Sequence, residues 1–481
     1  MSPRKQPSTL FSICIKYSLY VINDCCYAIE KSYPEIECLE CKEKVFMLRK
    51  LLSDLLPVRL FDALCLERGT IQYRGDPRIQ LQVLLHPNMS VFHRSDIDTS
   101  IPQTYWTNIV TMFQRLVVLD LKFICTDEIL EVIAKNCCLL EDLNIVSKVN
   151  IHKSRINASV LIRYVSDAGL KHVAKLKQLR ILSMDQPRNE RAQRVGRCVT
   201  QPGVIMLVSE LPYLEELRIE SCDIGSTLIN TDVALGPLSL RKINSHFASP
   251  EGLRKLIKIC PILRELSVTH LSTHDKDGIM EQIAQSDLRL AKLDLSFFSF
   301  TDAMQRLLAV KGEYLTHFAL WEMDHVMNID AVISIGLCCP NLTTLCLMTQ
   351  STTLYIPRFF RRPSNIFNKL QNLTLGNEHF DIENLLIFIL QGTQNIQKIA
   401  LKYQTKLEID STLLFLVHKG FLRNLTHLWL DCTLEVTKNT VYQVIDKCEY
   451  LTMLTVDHLG ETSEMQKYIL DNNLDLRLGG Y

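Results

Sequence analysis

The chain has 481 residues, 47% of them hydrophobic, with 53 basic and 53 acidic residues and therefore a formal net charge of zero. This balance gives no reason to expect nucleic acid or an anionic membrane surface as the main partner. No apolar run approaches the roughly 18 residues that a membrane-spanning helix needs. The seventeen cysteines are odd in number, and most fall where a repeat needs a small buried residue. They indicate reduced thiols and a cytoplasmic or nuclear protein.

The first predicted element is an amphipathic helix that follows a basic, polar start. We expect residues 1–8 to be disordered, and from Thr9 the sequence reads TLFSICIKYSLYVI. A secretory signal peptide is not expected, because Lys16 interrupts the apolar stretch and Asp24 follows without a small-residue cleavage pattern. The apolar residues that fall on one face of the helix are Leu10, Ile13, Cys14, Tyr17 and Val21.

The spacing of Leu10 and Cys14 in this helix resembles the BC-box, the helix by which substrate receptors dock onto elongin C in cullin-RING ubiquitin ligases. The resemblance implies that Leu10 enters a hydrophobic pocket and that the small Cys14 permits close approach. Ser18 stands where the family pattern has an aliphatic residue. The implied adaptor-binding residues are Leu10, Ile13, Cys14 and Tyr17.

A second motif follows in the sequence LPVRLFDAL, which starts at Leu56. Pro57 suits the first turn of a helix, and Leu60 and Leu64 share one helical face. The motif resembles a cullin-2 box, which implies cullin contacts through Leu56, Pro57, Leu60 and Leu64. Residues 9–68 are thus interpreted as a helical adaptor module. A BC-box, a cullin box and leucine-rich repeats in this order resemble the VHL-box receptors, such as the Zyg-eleven and PRAME relatives, here without the armadillo domain of the Zyg-eleven relatives.

Three alternatives remain for this module. The first helix would also serve as a cap for the apolar end of a repeat array, with or without adaptor docking. F-boxes also open with Leu-Pro before repeats of this kind, but the chain turns at Gly69, Gly75 and Pro77 too soon for their longer helical bundle. Cys38 and Cys41 have a zinc-ligand spacing without a clear set of four ligands, so we expect no metal.

A repeat of roughly 25 residues dominates the rest of the chain. Residues 69–115 predict an irregular initial repeat, and residues 116–481 carry the pattern Leu-x-x-Leu-x-Leu. Two copies are lengthened by insertions, around residues 146–162 and 186–198. The copies start at Leu116, Leu140, Leu179, Leu214, Leu240, Leu263, Leu290, Leu315, Leu342, Leu370, Ile396, Leu425 and Leu451.

Each copy predicts a short strand followed by a helix. Alternation places Leu345 and Leu347 on a core face and Cys346 on the other face. Ser166 and Thr301 precede helical segments, where their side chains can cap the first turn. Such units cannot bury their apolar side alone, so the sequence predicts an α/β leucine-rich-repeat solenoid, a horseshoe with strands on the concave side. Cysteines before several strands, such as Cys260, Cys339 and Cys448, resemble the cysteine-containing repeat subtype of intracellular ubiquitin-ligase receptors.

No motif in the sequence indicates catalysis or a bound cofactor. The histidines show no metal-ligand spacing, and no phosphate-binding glycine loop is present. We therefore expect a non-enzymatic substrate receptor of an elongin BC–cullin-2 ligase, with an F-box receptor of a Skp–cullin-1 ligase or a repeat scaffold unrelated to ubiquitin as alternatives. A protein or peptide target is expected on the concave face, at Arg218, Asn244, Asp294, His317, Trp321, Met348, Lys402, His427, Trp429 and Asp431. Four repeats separate Trp321 from Trp429, which predicts roughly 20 Å between them.

Overall fold

The structure is a computed structural model. It describes residues 10–33, 35–68, 73–93, 101–122, 124–146, 165–185, 199–220, 224–225, 236–246, 248–270, 275–323, 328–349, 363, 366–377, 382–403, 407–431, 433–456, 462–472 and 476–479. The predicted disordered start, residues 1–8, lies outside the described residues. So do the predicted insertions, apart from Val146.

Helices alternate with strands along most of the chain. The helices are α1 Leu10–Ser32, α2 Leu39–Leu55, α3 Val58–Glu67, α4 Pro77–Leu84, α5 Gln103–Val110, α6 Asp127–Asn136, α7 Asp167–Val173, α8 Gln201–Glu210, α9 Pro250–Ile259, α10 Lys276–Gln285, α11 Asp302–Lys311, α12 Ile329–Cys338, α13 Ile382–Leu390, α14 Asp410–His418, α15 Lys438–Lys447 and α16 Thr462–Asp471, with a 3-10 turn at Gly312–Tyr314.

The strands are short. They are β1 Val91–His93, β2 Val118–Asp120, β3 Asp142–Asn144, β4 Ile181–Asp185, β5 Glu216–Glu220, β6 Lys242–His246, β7 Glu265–Thr269, β8 Lys292–Ser296, β9 His317–Met323, β10 Thr344–Thr349, β11 Asn372–Asn377, β12 Lys398–Tyr403, β13 Leu407–Glu408, β14 His427–Leu430, β15 Leu434–Glu435, β16 Met453–Val456 and β17 Arg477–Gly479.

The chain divides into two compact units. The N-terminal unit comprises Thr9–Asn244 and Lys258–Cys260, and the C-terminal unit contains Ser245–Ile257 and Pro261–Tyr481. In the N-terminal unit, α1 packs against α2, α3 and α4, and the strands from β1 to β6 pair in parallel in chain order. This α/β unit therefore joins a helical module to stacked strand and helix repeats.

The C-terminal unit contains a parallel sheet in which each strand pairs with the strand of the next repeat. The order runs from β7 to β12 and then through β14 and β16 to β17. A small second sheet pairs β13 with β15. Helices of successive repeats also pack together, as α10 does on α11 and α14 on α15. This is a solenoid-like α/β arrangement.

The predicted repeat strands are confirmed. In every copy the strand begins two residues after the first apolar residue of the pattern, as β10 does after Leu342. Each of those first residues is at most 2% exposed, and burying a leucine side chain contributes roughly 1.5–3 kcal/mol. Within the predicted irregular initial repeat, β1 follows Met89, which is also fully buried. The repeated apolar pattern therefore determines where the strands lie.

Hydrogen bonds link the starts of successive helices. Ser166 caps α7 by accepting a hydrogen bond from the Ala168 N–H at 3.2 Å, as predicted. Its own N–H and hydroxyl donate to the Asp127 carboxylate of the preceding repeat at 2.8 and 2.5 Å. Thr301 also precedes its helix, but the capping prediction is wrong there, because its hydroxyl donates to Asp277 Oδ1 at 2.8 Å and caps no N–H of α11.

Candidate functional site

Strand β12 shows how the C-terminal unit presents polar residues on its sheet. Ile399 and Leu401 are buried in the core, so alternation places Lys398, Ala400 and Lys402 together on the opposite face. The parallel register sets Ala400 beside Thr374 of β11 and Trp429 of β14. We call this side of the sheet the open face.

A groove of about 510 Å³ crosses the open face where β11, β12, β14 and β16 lie side by side. The small side chains of Thr374 and Ala400 line it on β11 and β12, Trp429 adjoins Ala400 on β14, and Met453 lies one strand further, on β16. Asn372, Lys398, His427 and Thr455 also line the groove, and none of its lining residues is acidic. The groove therefore combines an apolar interior with a basic margin.

Trp429 is the largest side chain in this groove and lies against a cation. The Lys402 ammonium lies 4.7 Å from the centroid of the indole ring, a distance at which cation–π attraction operates. The ring is half-buried, so part of its surface stays available for contact. A half-exposed tryptophan beside a cation is suited to bind an apolar group that lies next to a carboxylate.

His427 adds a hydrogen-bonding group to the groove. Its Nδ1 atom lies 2.8 Å from the Thr426 hydroxyl. Burial lowers the pKa of His427, and the nearby positive charge of Lys398 lowers that pKa further. The imidazole is therefore mostly neutral at pH 7, and Lys398 and Lys402 supply the positive charge near the groove.

Asp294 and His317, two other predicted binding residues, are paired with each other. His317 Nε2 lies 3.0 Å from Asp294 Oδ1, and Lys292 Nζ lies 3.1 Å from Asp294 Oδ2. The Asp294 charge is thus compensated within the open face. These residues lie on β8 and β9 and do not line the groove.

The remaining predicted residues of the C-terminal unit do not line the groove. Trp321 is half-buried, pairs with Ser296 in register, and is not a groove residue. The strand order places four steps between Trp321 and Trp429, as predicted. Met348 leans over Gly376, where an added Cβ would overlap the Met348 sulfur. Asp431 follows β14, and its N–H donates to the Leu401 carbonyl at 3.0 Å.

Arg218 and Asn244 lie in the N-terminal unit, adjacent in the register of β5 and β6. Arg218 forms an ion pair with Glu216, and Lys242 Nζ lies 2.9 Å from Glu216 Oε1. Burial raises the pKa of the nearby Asp142, while the charge of Arg218 opposes that rise. This part of the sheet is therefore a network of mutually compensating charges.

Helix α1 presents one apolar face to solvent and buries another. Ile13 and Tyr17 are 47% and 69% exposed, and Cys14 is exposed as well. On the opposite side, Ile15 and Leu19 are buried in the N-terminal unit, where α1 packs on α3 and α4. The predicted adaptor-binding residues whose side chains are described therefore face outward. The side chain of Leu10 lies outside the described residues.

The predicted cullin-binding residues lie at the start of α3. Pro57 is exposed, and Leu56 and Leu60 are half-buried, so all three have surface available. Leu64 is 1% exposed and packs inside the unit. In this conformation Leu64 therefore supports the helix and offers no contact surface.

Two further properties of the described residues bear on function. They contain no cluster of three or more His, Cys, Asp or Glu side chains that could hold a metal ion. None of the helices in the described part of the chain has the length and apolarity that crossing a bilayer requires.

Sequence reasoning missed part of the groove. Of its lining residues, only His427 and Trp429 were predicted to bind a target. Lys398, Asn372 and Met453 were missed, although each stands at the same strand position as His427, the residue immediately before the first strand leucine or isoleucine. That shared strand position is the feature of the sequence from which these three residues could have been predicted.

No family model matches the chain, and a search of curated proteins found no match either.

Proposed function

We propose that this protein is the substrate-recognition subunit of an elongin BC–cullin-2 RING ubiquitin ligase. In this proposal α1 docks onto elongin C, the start of α3 contacts cullin-2, and the open face holds a target protein. The receptor performs no chemistry itself. It raises the effective concentration of the target near the ubiquitin-transferring enzyme that the cullin recruits.

The outward apolar face of α1 is the single observation that carries this proposal. Ile13, Cys14 and Tyr17 are exposed on a helix that buries Ile15, Leu19 and Ile22 on its other side. A helix that served only to cap the first repeat would need one apolar face, and α1 has two. An amphipathic helix that binds a groove of a partner needs such an outward face. The spacing of Leu10 and Cys14 supports elongin C as that partner.

We also propose that the repeats are leucine-rich repeats of the cysteine-containing subtype. The fixed distance from the first leucine of each copy to its strand supports this assignment. Cys260, Cys339 and Cys448 precede strands and are at most 1% exposed, as expected for small core-filling residues. Burial raises the pKa of Cys260 and of Cys339 to about 12, which suits reduced thiols in the cytoplasm or nucleus.

A binding measurement with the full chain tests the adaptor assignment. Immobilised wild-type protein should retain purified elongin B–C. The double variant Cys14→Phe and Tyr17→Glu should lose that complex, because a bulky ring and a charge would enter the apolar contact. Tyr27→Glu is the matched control, since Tyr27 is exposed on the same helix almost three turns away.

The control variant should bind as the wild type does, and circular dichroism should show all proteins folded. Equal retention by the double variant and the wild type would rule out the α1 contact. Retention of a Skp-type adaptor in place of elongin B–C would assign the chain to the F-box receptors.

A further inference from the structure

The groove on the open face has a distinct arrangement of charge. Lys398, Ala400 and Lys402 lie on one face of the single strand β12, with the small alanine between the two lysines. The lysines are four positions apart on the strand, which places their backbone positions roughly 13 Å apart. Trp429 stands beside Ala400 on the next strand, β14, and Met453 lines the groove one strand further, on β16. The apolar surface of Ala400 and Trp429 thus lies next to two positively charged side chains.

Among the described residues, these two lysines differ from other lysines of the sheets in having no ion-pair partner. Lys242 and Lys292 form ion pairs with Glu216 and Asp294 at 2.9 and 3.1 Å. Within the described part of the chain, neither Lys398 nor Lys402 has a carboxylate within ion-pair distance, and no acidic residue lines the groove. The positive charge at this position is available to a ligand of opposite charge.

We propose that the groove binds an acidic peptide segment of a partner protein, in which an apolar side chain lies between two carboxylates. The apolar side chain packs over Ala400 beside Trp429, and the carboxylates approach Lys398 and Lys402. In an extended peptide, residues four apart span the same roughly 13 Å as the two lysines. The groove thereby selects both for charge and for one apolar residue.

This inference rests on the proposed function, because it names the substrate class of a receptor. It makes a separate claim, however, since the groove residues and the α1 face are different surfaces. A chain that selects acidic peptides without retaining elongin B–C would refute the ligase assignment alone. A chain that retains elongin B–C and selects no acidic peptide would refute the peptide assignment alone.

The test is a selection from a randomised peptide library on the folded full-length chain. Selected peptides should be enriched in two acidic residues four positions apart around an aliphatic or aromatic residue. The most enriched peptide is then synthesised with a fluorescent label, and its dissociation constant is measured by anisotropy. Lys398→Gln and Lys402→Gln should each weaken binding roughly tenfold, because each removes one charged contact.

Lys447→Gln is the matched control, because Lys447 is exposed on α15 and the variant carries the same change in net charge. It should bind the peptide as the wild type does. Lys398→Glu combined with Lys402→Glu should reverse the preference towards basic peptides. Three outcomes would each overturn the proposal. The selected peptides could lack acidic enrichment, or all three glutamine variants could weaken binding equally. The third is that a single-stranded oligodeoxynucleotide binds as tightly as the peptide.

Discussion

The Lys402 ammonium stands 4.7 Å from the centre of the Trp429 ring, so the largest side chain of the groove is in contact with a cation that lies beside the groove. Trp429 is half-buried, so part of its surface remains accessible. A ligand that contacts Trp429 therefore also meets a positive charge. Changes at either residue are expected to affect binding more than folding.

The first prediction separates a binding tryptophan from a core tryptophan. Trp429→Ala should weaken binding of an acidic target peptide by about 2 kcal/mol, the scale of an interface hot spot, with a small change in thermal midpoint. Trp106→Ala is the comparison, because Trp106 is 0% exposed. It should cost about 3–5 kcal/mol of stability, measured by calorimetry. If Trp429→Ala lowers the thermal midpoint as much as Trp106→Ala, Trp429 is a core residue.

The second prediction concerns the hydrogen bonds between repeats. Gly169 is the third residue of α7, and an added Cβ there would overlap the Asp127 carboxylate that binds Ser166. Gly169→Ala should therefore destabilise the protein by about 1–3 kcal/mol, although alanine normally stabilises a helix relative to glycine.

Gly278 occupies the same position of α10 and makes a matched control. There an added Cβ would meet only the Pro250 side chain, at 3.3 Å, so Gly278→Ala should be neutral or stabilising by up to about 1 kcal/mol. Urea denaturation measures both variants. An increase in stability for Gly169→Ala would contradict the role of the Asp127 contact.

The strands could be predicted from sequence because one pattern, repeated thirteen times, defines both their position and their buried face. The groove could not be predicted from the sequence, because its depth depends on which small and large side chains become neighbours on adjacent strands. Ala400 lies beside Trp429 only because of the register between β12 and β14. No short-range pattern gives that register until the repeats are aligned with one another.

Helix α1 shows a second limit of sequence reasoning. The predicted apolar face contains Ile13, Cys14 and Tyr17, which the structure leaves exposed, whereas Ile15 and Leu19 form the buried face. Apolar residues on both sides of a helix do not reveal which side meets the core. The packing of α1 against α3 and α4 determines which side of the helix is buried. The predicted contact between Ser166 and the start of α7 was local, and it was confirmed.

The third prediction concerns pH. Because burial and Lys398 lower the pKa of His427, the unfolded chain takes up a proton where the folded chain does not. His427 therefore stabilises the fold above its ordinary pKa of about 6.5, and that contribution is lost as the pH falls towards the lowered folded value. Lys398→Gln should raise the folded pKa of His427, measured by NMR titration of its ring proton.

Lys402→Gln is the comparison in the same titration, since Lys398 is the charge that acts on His427. It should leave the pKa of His427 unchanged. A pKa of His427 that does not rise in Lys398→Gln would show that the two side chains are not neighbours.

The fourth prediction concerns thiol reactivity. Burial raises the pKa of Cys260 and of Cys346 to about 12, whereas Cys14 and Cys138 are exposed. Alkylation of the folded protein at pH 8, followed by peptide mass spectrometry, should modify the exposed thiols first. The buried thiols should react only after denaturation, because both low exposure and a low thiolate fraction protect them. Early modification of Cys260 would contradict the packing of the repeats.

Reconstitution with purified components tests the central claim most directly. The full chain is mixed with elongin B–C and then with cullin-2, and the complexes are measured by size-exclusion chromatography with light scattering. The proposed function predicts that the chain co-elutes with elongin B–C in equal amounts and that cullin-2 joins only this complex. If the folded chain elutes apart from elongin B–C, or joins a Skp-type adaptor in its place, the assignment to the elongin BC–cullin-2 ligase is contradicted.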